Sequence, residues 1–159
     1  MKQFTIRQAT IQDVEGIYAV FSEADQLHRN AHPEIFREAK SSASILDYLR
    51  DSILDPIAVI FFAERAGEIL GTVQCRIQTS PEIPILVPRK YAVVENIAVG
   101  ECHKRLGVGK ALMKRTEQWA KALGAQTIEL TVWDFNQIGK NFYRELDFEL
   151  MHQRMSKEL

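Results

Sequence analysis

The stretch HKRLGVGKAL, residues 103–112, sets two glycines two apart among cations. Glycine lets a main chain come close to a ligand, and the free N–H groups of a helix start point outward with the positive end of the dipole. Both features suit an anion, phosphate above all. Between Glu101 and Glu117 there is no acidic residue, whereas Lys104, Arg105, Lys110, Lys114 and Arg115 are basic. A helix start ordinarily favours Asp and Glu, so here the negative charge is left for a ligand to supply. A solvated basic face on an ordinary helix accounts for the same residues. Glu95 is the other conspicuous group, a lone carboxylate in the otherwise apolar run YAVVENIAV. Burying it without a partner is expensive, so it has either a chemical task or a polar or cationic neighbour.

Several anion and metal motifs are excluded. A phosphate-gripping P-loop needs a glycine five positions before Gly109 and a hydroxyl residue after Lys110, and Lys104 and Ala111 stand there. A dinucleotide fingerprint needs a third glycine where Leu112 lies. Cys75 and Cys102 form no close pair and His28, His32, His103 and His152 are scattered, so neither a disulfide framework nor a metal site is expected. A net charge of −1 gives no global argument for nucleic acid or an anionic membrane. No apolar run approaches the roughly 18 to 20 residues of a membrane span, and the N-terminus does not read as a signal peptide. A cytoplasmic protein is the expectation.

The elements that must position these groups alternate. With 159 residues, 46% hydrophobic, the chain reads as one domain, residues 1–159. Phe4 to Arg7 alternates as a strand, and Thr10 with Asp13 opens a helical pattern through Phe21. The polar stretch ADQLHRNAHPEIFREA follows, then a helix over 42–53. Runs at 58–64 and 69–77 flank Arg65-Ala66-Gly67-Glu68, a hairpin signal. TSPEIPILVPRK, with three prolines, is a loop. A buried strand over 91–99, a helix over 107–123 stopped by Gly124, a strand over 127–133, a helix over 136–146 and a closing strand over 148–155 complete the series. The order β-α-α-β-β-β-α-β-α-β implies an α/β domain: a mixed, mostly antiparallel sheet of about six to seven strands with helices on both faces, its parallel part at 91–133.

The run ENIAVGECHKRLGVGKAL resembles the acyl-coenzyme A motif of the GNAT superfamily of N-acyltransferases. There a strand ending in a small hydrophobic triplet leads to [Arg/Gln]-x-x-Gly-x-[Gly/Ala], matched here by Lys104-Arg105-Leu106-Gly107-Val108-Gly109 with Lys in the first place. A second block of that family, Asn, a small residue three later and Tyr seven later, is matched by Asn136, Gly139 and Tyr143; Glu145-Leu146-Asp147-Phe148 follows where Gly-Phe is commoner.

The resemblance implies acetyl-coenzyme A (acetyl-CoA) as co-substrate, no metal, and direct transfer of acetyl to a primary amine of a small molecule, peptide or protein. It implies that Ile97, Ala98 and Val99 offer main-chain groups to the pantetheine arm and an oxyanion donor. Lys104, Arg105, Leu106, Gly107, Val108, Gly109 and Lys110 would wrap the pyrophosphate, and Asn136 and Tyr143, seven apart on one helix face, would reach the same ligand. Tyr143 is the expected acid toward the departing sulfur and Glu95 the expected base. Some relatives place the base where Thr131 stands, which cannot serve; Glu129 is the nearest carboxylate on that strand. Acceptor specificity is expected from residues 24–39 and 79–90, with His28, His32, Glu34, Phe36 and Tyr91 as candidates. Two other readings stay open at this stage, a catalytically idle acyl-CoA-binding regulator and a binder of another nucleotide. Homodimerisation is common among such folds, and nothing in the sequence decides it.

Overall fold

The computed structural model describes residues 4–159. Strand β1 (Thr5–Gln8) leads through a 3-10 turn at Ile11–Asp13 into α1 (Val14–Ala31), then α2 (Ala43–Leu54). Strands β2 (Ala58–Arg65), β3 (Glu68–Thr79) and β4 (Lys90–Val99) follow, then α3 (Val108–Ala122), β5 (Thr127–Leu130) and α4 (Gln137–Arg144). Among the described residues the sheet has five strands in the order β1-β2-β3-β4-β5. All neighbours are antiparallel except β4 and β5, which the α3 crossover makes parallel. The turn joining β2 to β3 has positive φ at both Ala66 (51°) and Gly67 (81°), the twist that a two-residue hairpin needs.

Alternation along β2 sorts the core into two layers. Val59, Phe61 and Ala63 face α3 and meet Val108, Leu112, Met113 and Ala120. Ile60 and Phe62 face the other way, against Val14, Ile17, Val20 and Phe21 of α1 and Leu49 of α2. Each sheet face therefore carries helices, as the element order implies.

Three expectations need correction. Helix α1 runs on to Ala31 and takes in the first half of the polar stretch, so His28 lies on a helix rather than in a loop. Strand β5 stops at Leu130, three residues short of the expected end. The closing strand over 148–155 does not form, which leaves five strands among the described residues where six to seven were expected. Its apolar residues are not in strand phase: Leu150 and Met151 are adjacent and both largely exposed, and the four-residue β5 offers only a short edge to pair with.

Candidate active site

The site begins with an irregularity in β4. Along β3, Gln74 pairs with Asn96 and Cys75 with Val94, so Glu95 is an extra residue with no partner, a β-bulge. The bulge resets the strand's phase. Ala92 and Val94 face the α3 layer, and beyond the bulge Ile97 and Val99 face it again, with Ala98 in the opposite layer. Pairing with β5 ends at the same place, Val94 with Leu130. From Glu95 to Val99 the main chain of β4 is bonded only on its β3 side, and its other edge opens into the gap left by β5.

At the end of that edge comes the glycine-containing loop. Gly100 N–H donates to the Leu70 carbonyl (3.0 Å) and Glu101 N–H to Glu23 Oε1 on α1 (2.9 Å), while His103 Nε2 meets Glu68 Oε1 (3.0 Å). Past this anchored turn, Arg105 (φ 61°) and Gly107 (φ 81°) turn the chain into α3. The first main-chain bond of the helix is Ala111 N–H to the Gly107 carbonyl, 3.0 Å. Among the described residues, no N–H from Arg105 to Lys110 finds an acceptor. Lys104 pairs with Glu101, so its ammonium is already engaged, whereas Arg105, Lys110 and Lys114 have no ion-pair partner among the described residues. A Cβ on Gly109 would lie 3.1 Å from the Phe142 ring, so glycine here lets α4 seat against the first turn of α3.

Helix α4 supplies two further groups. Asn136 is its N-cap, with Oδ1 accepting from Gly139 N–H at 2.8 Å, and Gly139 has no room for a side chain there: a Cβ would fall 2.6 Å from Asn136 Nδ2. At the other end, Phe148 N–H bonds the Tyr143 carbonyl and Asp147 N–H the Arg144 carbonyl, each 3.0 Å, with Asp147 in the left-handed region (φ 63°). This is a Schellman closure, with Asp in the position glycine usually takes. Tyr143 is thereby packed between Phe142 and Phe148, with centroids at 5.3 and 5.8 Å. Burial pushes its phenol pKa up to about 12, so the hydroxyl stays protonated and is a donor at neutral pH.

These pieces border one cleft of about 280 Å³. Strand β4 contributes Val94 to Ile97, the β5 end Leu130 to Trp133, α4 and its cap Tyr143 and Asn136, and the facing side Asp25, His28 and Phe36. Of the expected site residues, Glu95, Ile97, Asn136 and Tyr143 come together here. Ala98 and Val99 continue the open edge toward the loop of residues 104–110.

Glu95 is held by Arg76 Nε (3.2 Å) and approached by the Tyr48 hydroxyl (3.4 Å), and Arg76 also pairs with Asp55. Thr131 lines the cleft, but Glu129 is taken by Arg89. His28 and Phe36 reach the cleft. His32 pairs with Glu34 (2.8 Å), while Tyr91 lies under the Arg89 guanidinium (4.2 Å) and bonds Gln78; neither borders it, nor does any residue of 80–89. Sequence reasoning missed Trp133 and Phe135, whose rings lie 5.0 to 5.8 Å from those of His28, His32 and Phe36 and tie the segment after α1 to the segment after β5. Two aromatics within three residues just beyond a strand end were the available signal.

An open strand edge thus leads to a helix start with free N–H groups, and a protonated phenol borders the same cleft. The profile described as acetyltransferase (GNAT) family matches residues 21–148. The chain belongs to the GNAT acetyltransferase family. It is on that ground an acyltransferase. Among GNAT relatives, an N-alpha-acetyltransferase of Sulfurisphaera tokodaii is 29% identical over 153 residues, covering 93% of this chain and 81% of that protein. A crystal structure of a mutant BH1408 protein from Bacillus halodurans superposes with a TM-score of 0.91 at 23% identity, covering 98% of this chain and 99% of that one. The aminoglycoside N-acetyltransferase AAC(6')-Iy in complex with CoA gives a TM-score of 0.73 at 15% identity, with 98% of each chain covered. No helix among the described residues is long and apolar enough to cross a membrane.

Proposed function

We propose that this chain transfers acetyl from acetyl-CoA directly to a primary amine within a ternary complex. The carrying observation is the one-sided pairing of β4 from Glu95 to Val99, which leaves main-chain groups beside Tyr143 and leads to the unpaired N–H groups of Arg105 to Lys110. The residues fit such a ligand. An amide-bearing arm can pair with a free strand edge, and a diphosphate suits a run of N–H groups at a helix start.

Acetyl-CoA, when bound, supplies an acetyl thioester open to attack by a neutral amine. Around it, an N–H on the open edge of β4, from Ile97 or Val99, serves as the oxyanion donor, and the N–H groups of Arg105 to Lys110 hold the diphosphate. Asn136 keeps α4 in register while facing the cleft. Tyr143 Oη donates a hydrogen bond toward the departing sulfur; with a pKa of about 12 against roughly 8.5 for an ordinary thiol, it stabilises sulfur by donation rather than by giving up its proton. Glu95 takes the amine proton, directly or through water, with Arg76 fixing the carboxylate. Covalent transfer through cysteine has no support in the geometry, because burial pushes the Cys75 thiol up to about 12 and Cys102 lies on the loop surface, outside the cleft.

The test is a thermal-shift panel followed by thiol release. Stabilisation by acetyl-CoA but not by ATP or NAD, with free thiol appearing only when an amine is added, is the expected result. Stabilisation without thiol release across a broad amine and peptide library would leave a binding module instead.

A further inference from the structure

The cleft beside Tyr143 adjoins a second one, of about 170 Å³, which takes in Ser22, Arg29, Arg37 and Glu38. Among the described residues, only Asp25 and Phe36 line both. Asp25 is half-buried on α1, and among the described residues its carboxylate accepts no hydrogen bond and joins no ion pair. Glu95, the other carboxylate bordering the first cleft, is already matched by Arg76, and no Lys or Arg among the described residues lines that cleft. Asp25 is thus the carboxylate at the junction that has no directly bonded partner among the described residues. A partly desolvated carboxylate is costly until a cation meets it, and the Phe36 ring beside it adds the face an alkylammonium favours.

Position separates this point from the reacting atoms. The second cleft has no residue of β4, β5 or α4 in its walls, so a cation seated between Asp25 and Phe36 stands apart from an amine lying along Ile97 and Tyr143. The other charged residues of the second cleft, Arg29, Arg37 and Glu38, sum to a positive charge and oppose entry of a further cation. On the reading that this site acetylates an amine, we infer that Asp25 and Phe36 bind a second cationic group of the acceptor, which makes the preferred substrate a compact aliphatic diamine or an amine bearing one further ammonium nearby. Burial raises the Asp25 pKa against the opposing pull of His28 and Arg29, which agrees with a carboxylate awaiting a cation.

Two measurements on the full chain test this, using 1,5-diaminopentane and pentylamine as matched probes. Calorimetry reads binding and thiol release with acetyl-CoA reads kcat/KM. The diamine is expected to bind more tightly and to exceed the monoamine in kcat/KM by roughly tenfold, a ratio that Asp25→Asn brings to about one and Asp25→Glu partly retains. A ratio near one in the native chain, an equal loss with both acceptors in Asp25→Asn, or a preference for amino acids read by Arg29 and Arg37 would overturn the inference. Diamine binding that depends on Asp25 without thiol release would uphold the cation site and sink acetyl transfer; equal thiol release from both amines would do the reverse.

Discussion

The ring of Phe148 stands edge-on to that of Tyr143, centroids 5.8 Å apart, and the same two residues share the hydrogen bond that closes α4. A helix terminator thus also sets the direction of the phenol. Phe148→Ala should lower kcat roughly tenfold while acetyl-CoA affinity, read by thermal shift, hardly changes, and Phe148→Leu should restore part of the rate. Equal losses in kcat and in affinity would mean that the residue merely supports the fold.

Tyr143→Phe should cut turnover by about a hundredfold with little change in acetyl-CoA binding. Because the raised phenol pKa favours the protonated form in the fold, its contribution to stability is present below the ordinary value near 10 and lost as pH rises through about 12. Absorbance titration of the tyrosines should show a component near 12 that Tyr143→Phe removes. Its persistence would assign the buried phenol elsewhere.

Glu95→Gln should slow the reaction most at low pH, where the acceptor amine arrives protonated and needs a base. At high pH, with the amine already neutral, the variant should approach the native rate. A pH profile of unchanged shape would remove Glu95 as base and leave it as the partner of Arg76.

Gly109→Ala places a methyl group about 3.1 Å from the Phe142 ring and should weaken acetyl-CoA binding roughly tenfold by pushing α4 from α3. Phe142→Leu in the same chain should recover most of the loss. A double-mutant cycle without coupling between the two positions contradicts that account.

Asp13 accepts two hydrogen bonds from Arg7 and others from Thr10, which hold its carboxyl at about 2. A depressed pKa stabilises the fold above the ordinary carboxylate range near 4, and that contribution disappears as pH falls through about 2. With Arg7 substantially exposed, Asp13→Asn should cost about 1 kcal/mol at neutral pH and nothing below pH 2. Urea unfolding at the two pH values reads the difference.

Much of this architecture was legible because periodicity and glycine placement are local. The alternation of β2 and the apolar stripe of α3 mark both sheet faces, and Gly107 and Gly109 mark the loop. The bulge at Glu95 was not legible, since an extra residue is defined only by the register of β3 beside it. The aromatic seam was missed for a related reason: His28 joins Phe135 only because α1 continues past the polar residues after Phe21, where packing outweighs composition. The strand expected from Phe148 failed because the Phe148 N–H is used to close α4 and the apolar residues after it are out of strand phase.

The extra residue in β4 makes chain length through this segment a functional quantity. Removing Glu95 would let β3 and β4 zip together without a fault, with Ile97 and Val99 still opposite Val73 and Gly71 and on the face they hold now. The tidier sheet would lose the carboxylate carried by the bulge and the bend at which β4 parts from β5. A deletion that improves the regularity of this protein is therefore expected to silence it.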